Sequence, residues 1–583
     1  MSSLLKLLRR RFVYIPALIL AFFLCFIAGV WAIPIWGWPG YVHTRGTAPL
    51  TPAWALECWV WEDDVNTADF VKELLAGYKE HDFPVRTILI DSPWSTRYND
   101  YIVDETRYPE PAQFFGDLEA QGYRVVLWMT TMVNSESDDT AIQDSRDWFE
   151  EAVKSGYLAG EGQHTKWWKG KGGFIDYTNP EAMKWWRGMQ QQVFDWGLDG
   201  WKLDGTATFF GRPFIGPFPL GYLGTHGGLM TTRGYMNHYY NDEYQHGLTQ
   251  NPEFITMSRA IDDNVPGIHP NGFAPVYASP VNWVGDQDHT WSLEEEGFEE
   301  ALRDILQSAR KGYNIVGSDV GGYGGKDIPA DLYIRWAQFS AFCGLYLNGG
   351  HGERRMWMRT AEELEVIRQY MWLHTELIPY IYHYVVTAHR GGTVLMRPHG
   401  EGYDFYCGDS MFISPIHRDT KEWTVTLPEG QWRYFFDDAE AIAGGTPFTR
   451  TYPMNEFPVF VRDGAILPMN IERDYTGIGG KDWAGHTTFN VYPGQDGSFS
   501  IFDTKDQAET TLSVAKQDAQ LTLNFEGKSV PHILYVRSDA KPATVTSSAG
   551  PLTEGAQWQY NAEKKRVIVR SANPTDNGYV IGY

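Results

Sequence analysis

Gly197-Leu-Asp-Gly-Trp-Lys-Leu-Asp-Gly205 is the stretch on which the reading of this chain turns. A short run flanked by apolar residues closes on a carboxylate, Asp204, and a glycine follows at once. In parallel α/β proteins a charged residue at the last position of a strand, just before a loop, sits over the mouth of the sheet, where side chains do chemistry rather than packing. Asp204 is therefore a candidate nucleophile. A helix N-cap or a solvated turn aspartate fits this stretch alone equally well, so its surroundings must decide.

Outward from it, short β-like runs alternate with helical stretches from about residue 53, the pattern of a parallel sheet wrapped by helices. Residues 55–61 read as a first strand and 67–81 as its helix, with Phe70, Val71, Leu74, Leu75 and Tyr78 at helical spacing. Further strands are expected at 85–91, 123–130, 254–260, 281–287, 314–320 and 344–348, with the opening stretch as the fourth. Helices are expected at 181–196, 294–311, 330–341 and 360–384. Eight such units closing on themselves predict an α/β fold, a (β/α)8 TIM barrel over residues 38–388. One strand-terminal aspartate is unremarkable, but Asp91, Asp204, Asp286 and Asp319 together are hard to explain by packing. Two long excursions interrupt the rhythm. Residues 131–179, with Trp167-Trp168 and a Gly-rich run after them, are too long for a plain connection and read as functional. Residues 206–233 are crowded with Phe, Gly and Pro and fit a pocket wall or an inert surface insertion.

Beyond residue 390 short alternating runs broken by Pro-Glu-Gly and Asp-Gly turns have all-β sandwich texture. A Pro/Gly-rich, charged stretch near 468–485 divides them into C-terminal β modules at 389–470 and 471–583. At the other end, residues 1–11 carry Lys6, Arg9, Arg10 and Arg11 without an acid, and a mostly apolar run from Phe12 to Trp36 follows. Residues 1–37 therefore read as a cytoplasmic basic tail and an N-terminal transmembrane helix, with everything after it extracytoplasmic. Secretion after cleavage at Val30-Trp-Ala32 is the competing reading.

The 583 residues leave room for a large domain and smaller ones, and 43% hydrophobic content is ordinary for a globular chain. A formal charge of −24 repels a nucleic-acid backbone and argues against that partner. Trp 24 and Tyr 33 are generous, which suits stacking on sugar rings as well as core packing. The four cysteines form no disulfide framework, and no Cys/His cluster suggests a metal. Oligomeric state is not legible.

Two carboxylates at strand ends, Asp204 and Asp286, could face each other across the barrel mouth. Retaining glycosidases need that pairing, with roughly 5 to 5.5 Å between carboxyl groups. The residues here resemble glycoside hydrolase family 31, the α-glucosidases, α-xylosidases and their relatives. Phe174-Ile-Asp-Tyr-Thr-Asn-Pro180 with Trp185-Trp186 looks like the segment before the family's nucleophile strand, and Lys202-Leu-Asp204 looks like that strand. Trp283-Val-Gly-Asp286 resembles its acid/base motif, and Ser318-Asp-Val-Gly-Gly-Tyr323 its Asp-Ile-Gly-Gly-Phe. Leu427-Pro-Glu-Gly-Gln-Trp432, the run from Pro458 to Pro468, and Val491-Tyr-Pro-Gly494 are similar to its C-terminal β modules.

The resemblance implies a retaining α-glycosidase with Asp204 as nucleophile and Asp286 as acid/base. It implies Asp91, Arg259, Asp319, His351 and Trp283 as contacts to an α-linked carbohydrate substrate, and no cofactor. Transfer to a sugar acceptor and a catalytically silent sugar-binding protein are the alternatives; keeping both Asp204 and Asp286 argues against the silent binder. The family's usual N-terminal β-sandwich is expected to be absent. Gln287 stands where Asn is usual, Gly205-Thr206 where more polar residues often follow, and Asn348-Gly349 where an Arg-Asn pair is common. Specificity of its own is therefore expected, set at residues 205–210. Asp288 is separated from Asp286 by the motif alone.

Overall fold

The computed structural model describes residues 2–29, 33, 46–63, 65–205, 214–215, 218–219, 222–261, 272–325, 327–349, 352–571 and 577–583. Its centre is a closed parallel barrel of β1 (Cys58–Glu62), β2 (Val85–Ile90), β3 (Arg124–Met129), β4 (Gly200–Leu203), β5 (Ile255–Arg259), β6 (Val281–Trp283), β7 (Val316–Gly317, resuming at Asp319–Val320) and β8 (Leu347–Gly349). Each strand pairs with its successor, and β8 pairs back with β1 through Trp59↔Leu347 and Trp61↔Gly349. Strand seven is broken at Ser318: its first half pairs with β6 and its second with β8, so one interrupted strand turns the last corner.

The helices follow from amphipathic periodicity and caps. After α1 at the N-terminus, α2 (Ala68–Glu80) is capped by Thr67, whose side chain accepts from Phe70 N, and buries Val71, Leu74, Leu75 and Tyr78. The connection from β2 to β3 carries α3 (Pro111–Ala120). Next come α4 (Pro180–Asp195), begun by Asn179 and Pro180, and α5 (Thr232–Gln250). Glu243 of α5 accepts from Tyr177 (2.6 Å) and from Trp186 and Gln190 (3.0 Å each), and pairs with Arg187. That buried carboxylate fixes α5 against α4. Then follow α6 (Phe298–Arg310), α7 (Ala330–Ser340), α8 (Ala361–Glu376) and α9 (Ile378–His389).

Several expected boundaries move for physical reasons. The first strand starts at Cys58 because Ala53–Leu56 form a 3-10 turn after Pro52. Strand six ends at Trp283 rather than 287, because Gln287 turns its carbonyl to the amides of Tyr323 (2.6 Å) and Gly324 (3.0 Å). The single helix expected over 360–384 is two, divided at Leu377 just before Pro379, whose ring has no N–H to donate.

The first excursion folds as a three-stranded antiparallel sheet of Met132–Glu136, Gly170–Phe174 and Thr165–Trp167, with the helix Arg146–Lys154 beside it. The all-β expectation after residue 390 holds. One six-stranded sheet runs from Met396–Pro398 to Asp437–Ala443, and five- and six-stranded sheets follow it. Ile466–Met469 pairs with Thr487–Val491 in the five-stranded sheet. The modules dock on the barrel where Tyr380 of α9 stacks on Phe499 (5.2 Å) and where Arg473 forks onto Asp82 (2.8 and 2.9 Å).

The transmembrane expectation is not supported. The N-terminal α1 (Ser2–Ile27) includes the basic residues Lys6 to Arg11 ahead of its apolar part, and described helical backbone continues to residue 29. Among the described residues no helix is long and apolar enough to cross a membrane. Most of the remainder of the expected run, to Trp36, lies outside the described residues.

Barrel closure rests on a close approach at Gly349. Its φ is +133°, and a Cβ there would lie 2.0 Å from the carbonyl oxygen of Trp61. Gly349→Ala should therefore destabilise the barrel by about 3 kcal/mol or more. Thermal unfolding would check it; an unchanged Tm would show that the seam can open without cost.

Candidate active site

The C-terminal ends of the eight strands gather the site. Lys202 and Asp204 lie two residues apart, so they share the inward face of strand four, whereas Trp201 and Leu203 point outward into the helical layer. Asp204 follows the last residue of β4. Its amide donates to Met129 O (3.1 Å), and its carbonyl accepts from the Tyr239 hydroxyl of α5 (3.2 Å). Its carboxylate accepts from Gly205 N (2.7 Å), Trp128 Nε1 (3.2 Å) and Arg259 Nε (3.2 Å). Gly205 has φ +83°, and a Cβ on it would come 2.9 Å from Thr130 Oγ1 and 3.4 Å from the Trp168 ring. The glycine after the carboxylate is thus required by the turn and by what crowds it.

Arg259, at the end of β5, spans both carboxylates: Nη2 reaches Asp286 Oδ2 at 3.2 Å while Nε holds Asp204. Lys202 pairs with Asp91 at 2.7 Å and lies between two indoles, 5.0 Å from the Trp283 ring and 5.1 Å from Trp61. Trp283, fully buried, also lies under Arg259 at 4.7 Å. The two carboxylates differ in access: the Asp204 side chain is 11% exposed and that of Asp286 44%.

These neighbours set the charge states. Burial pushes the Asp204 carboxyl up, but Arg259, Lys202, Trp128 and the Gly205 amide outweigh it and hold it below the ordinary carboxylate range. Burial likewise works against the Lys202 ammonium, and Asp91, Asp204, Asp319 and Asp286 together keep it above its usual value. Asp319 has no such compensation. Burial, with Asp286 and Asp91 nearby, pushes it up to about 7 against the pull of Lys202 and Arg354.

Asp91, Asp204, Asp286, Arg259 and Trp283 are thus brought together around Arg259 and Lys202, with Asp319 within their field. His351 and residues 206–210 lie outside the described residues. Asp288 is exposed; its amide donates to Glu296 O (2.8 Å), its carbonyl accepts from Thr290 N (2.8 Å), and, among the described residues, its side chain makes no bond to Arg259 like those of Asp204 and Asp286. Geometry therefore separates it from Asp286. Lys202, Trp61 and Trp128 were not singled out from sequence. For Lys202 the signal was present, since its i, i+2 relation to Asp204 on a strand puts both on one face. Trp168 is the other addition: it is 52% exposed and touches the Gly205 turn.

A closed barrel whose C-terminal mouth holds paired carboxylates bridged by a cation defines a barrel protein of the glycoside-processing kind. Residues 48–384 match the glycosyl hydrolases family 31 TIM-barrel domain and residues 397–467 the family 31 C-terminal domain, so the chain belongs to glycosyl hydrolase family 31. Among its relatives are an alpha-xylosidase of Emericella nidulans, 25% identical over 74% of this chain and 55% of that protein, and an isomaltosyltransferase of Sporosarcina globispora, 23% identical over 91% and 52%. The chain thus spans about half the length of these curated relatives. A mutant of a Flavobacterium johnsoniae GH31 dextranase complexed with isomaltotriose superposes with a TM-score of 0.77 at 20% identity, covering 92% of this chain and 72% of the other. The cycloalternan-forming enzyme of Listeria monocytogenes gives 0.79 at 21%, covering 93% and 55%. At these identities the structural likeness bears on fold.

The raised Asp319 has a thermodynamic consequence with a definite sign. Its folded value lies above its unfolded one, so folding takes up a proton between about pH 4 and 7. Its contribution to stability is complete below about 4 and is lost as pH rises through about 7. Asp319→Asn should therefore be more stable than wild type at pH 8, by an amount on the order of a few kcal/mol, with the gap closing toward pH 4. Melting temperatures of both proteins across that range would check it, and a gap independent of pH would contradict it.

Proposed function

We propose that this protein is a retaining α-glycosidase acting by double displacement on α-linked glucosyl or xylosyl saccharides. The observation that carries the reading is the Arg259 bridge between a buried, ionised Asp204 and a solvent-accessible Asp286. In the first step the Asp204 carboxylate attacks the anomeric carbon while Asp286 gives its proton to the departing glycosidic oxygen. A glycosyl ester forms on Asp204 and the carbon–oxygen bond to the leaving sugar breaks. In the second step Asp286 takes a proton from water, the water oxygen attacks the anomeric carbon, and Asp204 leaves as carboxylate. Two inversions give net retention. Asp91, Lys202 and Asp319 stand where they can accept or donate to sugar hydroxyls in the cleaved subsite, and His351 belongs with them on sequence grounds.

A second reading is transfer to a sugar hydroxyl in place of water. It is supported by relatives named isomaltosyltransferase and cycloalternan-forming enzyme, and by the exposed Trp168 ring beside Asp204, a flat face for an acceptor sugar.

We further propose an extracytoplasmic catalytic domain, delivered by the basic and then apolar N-terminus either as an anchor or as a cleaved signal. The exposed side chains of Leu18, Ile19, Phe22 and Leu24 on α1 support it. Fractionation of cells expressing the full chain should recover it outside the cytoplasm; a freely cytoplasmic protein would refute this placement.

Activity is tested with aryl α-glycosides and α-linked disaccharides of glucose, xylose and galactose. Asp204→Ala should abolish turnover. Asp286→Ala should lose about 100-fold or more on poor leaving groups and far less on activated ones. Full activity in Asp204→Ala, or equal losses for Asp286→Ala on both substrate types, would sink the assignment. Disaccharide products that grow with acceptor concentration would favour transfer.

A further inference from the structure

The segment bearing Asp286 is not held by strand six, which ends at Trp283. It is zipped instead to the loop after strand seven. Gln287 O accepts from Tyr323 N and Gly324 N, and His289 N donates to Gly324 O at 2.9 Å. The loop after strand eight joins them through one side chain, Arg354. Its Nε donates to Val320 O at 3.1 Å, its Nη2 donates to Gly322 O, and the same Nη2 lies 3.1 Å from His289 Nε2.

Arg354 is 4% exposed, and among the described residues no carboxylate lies within ion-pair distance of it. Burying a guanidinium without a paired carboxylate is costly, and such a group tends to persist where it does something packing cannot. A guanidinium can only donate, so in this contact His289 Nε2 is the acceptor, the role open to an imidazole that carries its proton on Nδ1. The two neighbouring loops approach the ring closely through glycines: a Cβ added to Gly325 would lie 2.9 Å from Nδ1, and one on Gly352 3.0 Å from Cε1.

We propose that Arg354 and His289 are a positioning pair for the acid/base step. The guanidinium, acting through a neutral imidazole and two carbonyls, sets the height of the Asp286 segment over Asp204 and fixes the Asp319 turn in the same frame. Neither residue touches the reacting atoms. The charged groups around the pair are Asp286 and Asp288 on its own loop, Asp319 on strand seven and Glu62 on strand one. The proposal rests on the reading of Asp286 as the acid; in the first step, which kcat/KM reports, a mispositioned acid slows substrates whose leaving group needs a proton far more than those whose leaving group does not.

The test uses Arg354→Met, Arg354→Lys and His289→Gln in the full chain, with wild type as reference. On an α-linked disaccharide Arg354→Met should lose about 30-fold or more in kcat/KM. On the corresponding α-glycosyl fluoride, whose departure needs little acid assistance, the loss in kcat/KM should stay within about threefold. Arg354→Lys and His289→Gln, which keep a donor and an acceptor, should recover part of the loss. Independently of turnover, NMR of ring-labelled histidine should show His289 of wild type as a neutral Nδ1–H tautomer between about pH 5.5 and 8, and titrating in Arg354→Met. Equal losses on both substrates, or a freely titrating His289 in wild type, would overturn the pair. If Arg354→Met does not fold, the two conservative variants carry the same kinetic comparison. Wild type inactive on both substrates would reject the glycosidase reading instead, and the pair would then be decided by the NMR signature.

Discussion

Putting carboxylates at the buried ends of barrel strands is possible only where cations from neighbouring strands offset the desolvation, and here Lys202 and Arg259 do so. Each serves more than one acid. Arg259 reaches Asp204 and Asp286 together, and Lys202 pairs with Asp91 while its field is felt by Asp204 and Asp319. Trp61 and Trp283 complete the arrangement, because an indole face can border a cation that has no further carboxylate to meet. The charge states needed for chemistry come from this shared compensation rather than from any residue alone. Asp204 gets most of it and stays ionised. Asp319, at the margin, is pushed toward neutrality.

The same economy of parts sets the backbone. Strand six ends at Trp283, so the segment that carries Asp286 lies beyond its ladder, whereas Asp319 sits on the half of strand seven that pairs with strand eight. The Asp286 segment is fixed instead to the loop after strand seven, through Gln287, Tyr323 and Gly324, and to the loop after strand eight through Arg354. The Asp204 side of the mouth is held by strand pairing and by Tyr239, and the Asp286 side by loop-to-loop bonds. A carboxylate that must face substrate and then water is better placed on the side that strand pairing does not lock.

What was legible in the sequence follows from this division. Strand-ending carboxylates at Asp91 and Asp204 could be read because strands are local patterns and a charge at their end breaks the pattern, whereas Asp286 was reached through its motif and lies three residues beyond strand six. Lys202 was readable in principle from its parity with Asp204. Trp61, Trp128 and Arg354 were not, because each acts on a residue far away in the chain and only barrel closure brings them near. The short sixth strand escaped for the same reason: Val284 to Gln287 reads as a continuation until the competing carbonyl contacts from residues 323 and 324 are known. The split near Leu377 was visible in Pro379, a local signal that the helical periodicity on either side masked. The apolar length of the N-terminal run was legible, but among the described residues no helix is long and apolar enough to cross a membrane.

The inserted sheet and Asp204 are not independent parts. Trp128 donates its N–H to Asp204 and stacks on Trp167 at 6.3 Å with an interplanar angle of 8°. Trp167 is tied to the inserted sheet by its own N–H to Asn134 Oδ1 (2.9 Å), and it meets Trp168 edge-on at 5.3 Å. Trp168 in turn touches the Gly205 turn next to Asp204. A closed circuit thus runs from the carboxylate through three indoles and back to the residue after it. A substitution in the inserted sheet that shifts Trp167 would therefore change which sugar fits the wall and how Asp204 is aimed at the same time. Through these indoles the insertion after strand three is packed onto the strand end that carries Asp204.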